Sequence, residues 1–369
     1  SEGRYVLGLD YPAYVPFMTR AESGEARKRY QVAKLREGGP ENIARLDEMF
    51  QLRKELAALH GLESFAHYSL RRKMAGTPEA VSRFLAEVKD AVVVAERREL
   101  AELRAAKAKA EGVAPEAATL GRWDVAFWQE RVRQERYAID QERLRRYFPT
   151  RESVAFAMRI ASTLYGVEFR ETKVATWHPD VRYFDVIDSR TRGRLGGIYL
   201  DLFPREGKYG HAAAFPIRGV STLERRLPLS ALVTNFNREG LDHDELETLL
   251  HEFGHILHGV LSRTEYVTHA GTSTTVDFVE APSQMFEAWA RREQALALFA
   301  SVCPACPVLS RAEIDRLEAA RRFGLGIRYA RQASLARFDM ALSTAPEPAL
   351  ALWKRIEAES PLGHTEGTL

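Results

Sequence analysis

From residue 22 to 110 the chain alternates charged and apolar positions at a helical period. Gly38-Gly39-Pro40, Gly61 and Gly76-Thr77-Pro78 interrupt it, which predicts about four helices. An Ala/Pro/Gly connector over 112–121 leads into a further helix. Its Trp123, Phe127, Trp128 and Tyr137 recur at helical spacing, which assigns them to a core rather than to a peptide-binding stripe. Between Thr172 and Ile217 the period changes to two. Val174–Trp177, Val181–Ile187, Arg194–Asp201 and His211–Ile217 read as short strands, with Asp188–Gly193 as a hairpin turn. Helical spacing then returns. Leu246, Leu249 and Leu250 share one face of a segment with an acidic start, and Glu280, Gln284 and Glu287 share a face of a later one. The pattern predicts a mainly α protein with a small β-sheet beside one long helix. At 369 residues the chain exceeds the roughly 250–300 at which single cores stop growing, so two lobes are expected. We place a helical lobe over 1–150 and a second region over 151–369.

Composition narrows the class. The chain is 45% hydrophobic and 28% charged, with 53 basic against 51 acidic residues and a formal net charge of +2. Mean hydropathy is -0.31. These values suit a soluble, cytoplasmic enzyme and imply no polyanionic partner. The Arg-rich segment Gln141–Arg146 has acids interleaved and reads as a solvated face, so nucleic acid is not an expected partner. No apolar run approaches the ~18 residues that cross a bilayer, and Ser1–Arg20 lacks a basic start followed by an apolar core. Neither a membrane span nor a signal peptide is read. Cys303-Pro-Ala-Cys306 has the spacing of a redox pair or half a zinc site, but no second cysteine pair exists and its flanks are a helix end and a Pro-rich turn. A reduced loop pair outside the active site is expected.

The stretch with the most chemistry is His251-Glu252-Phe253-Gly254-His255, inside the long helix. Two imidazoles one turn apart grip one metal, and the carboxylate between them reaches its water. Glu247 lies four residues before His251 on the same face, where it is expected to accept the imidazole N–H that points away from the metal; Glu287 is the other candidate for such an outer role. His258 falls on this stripe too, but three in-line helical histidines do not converge on a tetrahedral ion, so it reads as a packing or outer histidine. A catalytic site needs a third ligand. The three-histidine pattern would require Gly at 258 and His at 261, where this chain has His258 and Leu261. A glutamate from a second helix is the remaining common solution. Glu280 is the candidate, and spacing alone leaves Asp277 and Glu287 open.

These stretches, with Tyr199–Phe215 and Asp277–Gln284, resemble the thimet oligopeptidase, oligopeptidase A and dipeptidyl carboxypeptidase family of zinc metallopeptidases. Weaker similarity runs from Tyr11-Pro12 through Trp123-Asp124, the Gln134–Phe148 helix and Leu164-Tyr165-Gly166. The resemblance implies a zincin-like catalytic core in which His251, His255 and Glu280 hold one Zn2+ per chain and Glu252 is the general base. It also implies two lobes around a cleft that admits short unstructured peptides. The expected reaction is hydrolysis of internal bonds of such peptides, by a zinc-bound water that Glu252 deprotonates. The alternatives are release of C-terminal dipeptides, or a catalytically incomplete zinc- and peptide-binding fragment. Members of the family are longer, and the Gly/Tyr-rich loop that stabilises their tetrahedral intermediate has no match between Leu362 and Leu369. The catalytic region therefore reads as truncated at its C-terminal end. Short peptides, and the chain's own missing N- and C-terminal segments, are the expected partners.

Substrate contacts have weaker signals. His211–Pro216 is the candidate edge strand for pairing with an extended peptide, since Pro216 suits an edge, and His211 and Ala212 are its leading contacts. His211 reads either as a buried structural histidine or as a substrate contact. Thr272, in the loop between the two metal-binding helices, is a third candidate, with a plain connector as the other reading.

Overall fold

The computed structural model describes residues 6–9, 11–137 and 144–367. The start of the expected solvated face Gln141–Arg146, and residues 138–143 of the Gln134–Phe148 segment, lie outside the described residues. The chain divides into two compact units, Ser1–Ile139 with Ala319–Leu369, and Asp140–Glu318. One division near Thr150 was expected from the sequence. The chain instead returns to its first unit, because the helices after 319 bury their apolar faces against the N-terminal ones. Leu342, Leu352 and Ile356 cluster with Phe50, and Phe323 clusters with Leu100, Leu103, Leu120 and Val132.

The first unit is helical: α1 Tyr11–Arg20, α2 Gly24–Leu35, α3 Gly39–Leu59, α4 Phe65–Leu70, α5 Pro78–Glu111 and α6 Arg122–Tyr137. The breaks expected at Gly39, Gly61 and Gly76 fall at glycines with positive φ, a conformation that residues with a Cβ rarely adopt. Asp124 is fully buried and bonded to Arg27 at 2.5 Å and Lys107 at 2.8 Å, so the charge is paired rather than isolated.

In the second unit, α7 Thr150–Tyr165 precedes a five-stranded sheet. Helix α8, His243–Val260, follows the sheet, with α9 Val276–Val279, α10 Ala281–Glu287 and α11 Glu293–Val302 after it. α12 Arg311–Arg322 spans the division at 319, and α13 Leu325–Thr344 and α14 Ala349–Ala358 belong to the first unit. The strands are β1 Val167–Glu171, β2 Arg182–Asp188, β3 Arg194–Asp201, β4 Ala213–Arg218 and β5 Leu229–Val233, in the order β1-β2-β3-β5-β4. Only β3 and β5 run parallel; the other neighbours are antiparallel. β4 is an edge strand, which accommodates Pro216.

Val174–Trp177 forms no strand. Trp177 instead donates its indole N–H to Asp201 at 2.8 Å. β1 and β5 were not anticipated. β5 lies between β3 and β4 with its centre buried, so its sequence lacks the alternation that marks a half-exposed strand.

Asp201 organises the loop that delivers β4. It accepts two hydrogen bonds from Arg205 at 2.6 and 2.7 Å, and pairs with buried Lys208 at 2.9 Å. Lys208 also donates to the backbone carbonyls of Asp201, Phe203 and Thr234. Burial alone would raise the Asp201 carboxyl, but hydrogen bonds from Arg205, Trp177 and Lys208 outweigh it and hold the group well below the usual carboxylate range.

Cys303 and Cys306, expected reduced, are joined by a disulfide. The turn that ends α11 brings their Cα atoms to 5.3 Å, within bridging reach, and Cys306 N–H bonds to Cys303 O. Among the described residues no helix is long and apolar enough to cross a membrane.

Asp201→Asn should leave Lys208 without its counter-charge and cost about 3–5 kcal/mol near neutral pH. The folded-state pKa lies below the unfolded value of about 3.9, so the contribution is complete above about pH 4 and fades as pH falls further. Thermal melts of both proteins near pH 7 and near pH 3 measure this. The gap in Tm is expected to narrow in acid, and an unchanged gap contradicts the assignment.

Candidate metal centre

Helix α8 starts at a reciprocal cap. Asp242 accepts from Glu245 N–H at 2.8 Å, and the Glu245 carboxylate accepts from Asp242 N–H at 2.9 Å, an arrangement that stabilises a helix start by roughly 0.5–2 kcal/mol. Arg145 bridges both acids and holds Gly240 O. From this fixed start α8 buries Leu246, Leu249, Leu250, Phe253, Ile256 and Leu257, which leaves His251, Glu252 and His255 on the remaining stripe. At Gly254 the helix backbone meets α10 directly. A Cβ there would stand 2.7 Å from Ser283 Cα and 2.8 Å from Pro282 O. That close approach carries Glu280, at the junction of α9 and α10, to the histidines.

Glu280 Oε2 lies 3.1 Å from His255 Nε2 and 3.3 Å from His251 Nε2. One ligand atom from each of the three residues falls within 4.8 Å of the others. Two ligands at about 2.0–2.1 Å from a tetrahedral ion sit about 3.3 Å apart, so the residues fit a zinc-sized ion with borderline-soft N/O preferences. His251 is oriented by Glu287, whose carboxylate lies 2.6 Å from Nδ1. This partner fixes the proton on Nδ1 and leaves the Nε2 lone pair facing the group. Burial holds the His255 imidazole below its usual range, which favours the neutral, ligating form. For Glu280, burial is outweighed by the Ser283 hydroxyl and the two imidazoles, leaving its carboxyl below the ordinary value. Glu252 Oε1 sits 4.0 Å from His251 Nε2, beside this three-residue group and not part of it. Burial raises its carboxyl above the usual range, offset only in part by His251 and the Ala214 N–H.

Residues 17–359 match the model of peptidase family M3. The chain belongs to this family. As an M3 chain it is 36% identical over 365 residues to oligopeptidase A of Salmonella typhimurium, an alignment covering 93% of this chain and 53% of that protein. Oligopeptidase A of Escherichia coli is 35% identical over the same length and shares. Saccharolysin of Saccharomyces cerevisiae is 31% identical over 395 residues, covering 100% of this chain and 55% of that protein. This M3 chain thus spans about half the length of the curated relatives it matches.

Of the candidates, His251, His255 and Glu280 come together, with Glu252 and Glu287 beside them. Glu247 does not reach His251. It is bonded to Arg291 and lies 3.8 Å from His243, because a carboxylate one turn earlier on the same helix is drawn to the cation facing it. Asp277 stands outside the group, and His258 lies edge-on to Phe278 with its pKa lowered by burial. The buried reading of His211 fails, since the residue is exposed beside Tyr209. Ala212 precedes β4, which begins at Ala213; Ala214 is the residue whose N–H reaches Glu252. Thr272 lines the same concavity as His255.

Two contributors escaped the sequence reading. Ser283 is fully buried and donates to Glu280 Oε2 at 2.7 Å, a contact its position three residues along the helix would have suggested. Gly254 gave no signal without knowledge of what crosses the helix there.

Ser283→Ala should keep the fold and weaken zinc binding about 10–100-fold, the usual effect of losing a ligand's hydrogen-bond partner. Gly254→Ala should weaken zinc binding and also cost about 1–3 kcal/mol through overpacking. Competition with a chromophoric chelator, together with thermal melts, separates the two effects. Native zinc affinity in both variants would show that α10 does not set the ligand position.

Proposed function

We propose that the chain is the metal-bearing part of a zinc endopeptidase that cleaves internal bonds of short, unstructured peptides, with His251, His255 and Glu280 as ligands and Glu252 as general base. The observation that carries this reading is the convergence of Glu280 Oε2 on both imidazole Nε2 atoms, with a buried carboxylate alongside. The names of the relatives, oligopeptidases among them, support peptide substrates. Zinc bound there would supply Lewis acidity, polarising a carbonyl and acidifying water near neutral pH.

The chain's own residues handle the proton. Glu252 takes it from the attacking water as the water oxygen bonds to the scissile carbonyl carbon. The same carboxyl then delivers it to the amide nitrogen as the C–N bond breaks. Burial raises the Glu252 pKa toward the range useful to a base near neutrality, and the Ala214 N–H holds the carboxylate against β4. Glu287 keeps His251 in the ligating tautomer. The free edge of β4 offers carbonyls for pairing with an extended peptide.

Glu252→Gln should retain one zinc and lower turnover of quenched fluorescent oligopeptides by about 10²–10⁴-fold, since the amide keeps the shape but cannot accept the proton. Native-like turnover by that variant eliminates Glu252 as the base. A native protein that binds zinc and these peptides without cleaving them would favour the binding-fragment reading instead.

A further inference from the structure

We propose that Arg218 gives this metal site a preference for substrates that carry a carboxylate a few residues from the cleaved bond. The proposal rests on the peptidase reading above and adds a substrate class to it. A concavity opens beside His255, walled on one side by β4 from Ala214 to Arg218 and on the other by Gly259, Gly271 and Thr272. The second wall is built of small residues by necessity. A Cβ at Gly271 would stand 2.8 Å from Gly259 Cα, and one at Gly259 would stand 2.9 Å from Ser230 Oγ. Arg218 is the one residue of this lining with a permanent charge.

Its guanidinium has five N–H donors in a rigid fork. Nε spends one on Leu227 O at 2.8 Å, which fixes the side chain at the end of the strand. Among the described residues no carboxylate is paired with the rest of the fork. Ala214 marks the reacting end of the concavity, since its N–H reaches Glu252. Arg218 follows four residues later, past an irregularity in the strand after Pro216, so at most about 13 Å along the edge. A peptide lying against the same edge advances at the same pitch, so the fork comes level with a residue about three or four positions from the one beside Glu252. In a slot whose other lining residues carry no permanent charge, that fork accepts a carboxylate through paired, charge-assisted hydrogen bonds. An Asp or Glu side chain supplies such a group, and so does the peptide's own C-terminus.

The test is competition binding of short peptides to the zinc-loaded Glu252→Gln protein, which holds substrate without turnover. One glutamate is moved along an alanine-rich peptide, each form is compared with its glutamine counterpart, and free-acid peptides are compared with C-terminal amides. At one or two positions, or at the C-terminus, the charged form should bind about 5- to 10-fold tighter at low ionic strength, and the difference should shrink with added salt. Arg218→Gln should abolish the difference while zinc content stays at one per chain, and Arg218→Lys should restore part of it. A glutamate effect identifies a side-chain source, and a free-acid effect identifies the C-terminus. Equal binding of charged and neutral peptides by the native residue, or a difference that survives Arg218→Gln, overturns the proposal alone. Absence of zinc-dependent binding of any peptide overturns the peptidase reading and this proposal with it.

Discussion

The metal centre depends on one backbone contact, the approach of α8 at Gly254 to Pro282 and Ser283 at the start of α10. The two histidines come from a single helix, so their separation is set by helix geometry alone. The third candidate ligand, Glu280, belongs to another element, and only the interhelical distance brings it in. A methyl group at Gly254 would overlap the facing backbone, which means that the distance seen here is available to glycine and to no larger residue. Flexible side chains elsewhere yield to an added Cβ; a backbone Cα and a carbonyl oxygen do not. Ser283 then uses the contact twice, packing its backbone on Gly254 and binding its hydroxyl to Glu280.

Around this contact the second unit is held by paired charges rather than by apolar burial alone. Arg145 ties the start of α8 through Asp242 and Glu245, Arg291 takes Glu247, and Asp201 with Lys208 fixes the loop into β4. Arg145 holds the start of the helix that carries His251, Glu252 and His255, and Asp201 with Lys208 holds the loop between β3 and β4. They set where a helix or strand begins, and the groups the chemistry requires follow at fixed spacing. The cost of burying such charges is offset by hydrogen bonding on several sides, as at Lys208, which meets three backbone carbonyls and one carboxylate.

What could be read in the sequence follows the range of the interactions involved. The helices over 22–110 and the strands Arg182–Asp188 and Arg194–Asp201 were legible because amphipathic periodicity is local. The histidine pair was legible for the same reason, being a one-turn repeat. β5 was not, since a central strand buried on both faces carries no alternation, and neither was the return of 319–369 to the first unit, which depends on contacts hundreds of residues apart. Glu247 and Glu287 show the limit most clearly. Both stand at plausible spacing from His251, and the choice falls to Glu287 only because Arg291 occupies Glu247. Sequence gave both acids the reach; tertiary structure assigned the partners.

The central claim is that two imidazoles and a carboxylate oxygen form one metal centre, fixed by the packing of α8 on α10. Zinc K-edge X-ray absorption on the zinc-loaded chain tests it most directly. The account predicts first-shell scattering from nitrogen and oxygen alone at about 2.0–2.2 Å, with the outer-shell pattern of two imidazole rings. A zinc–sulfur distance near 2.3 Å, which would place the ion on Cys303 and Cys306, or the signature of a single imidazole, would contradict it.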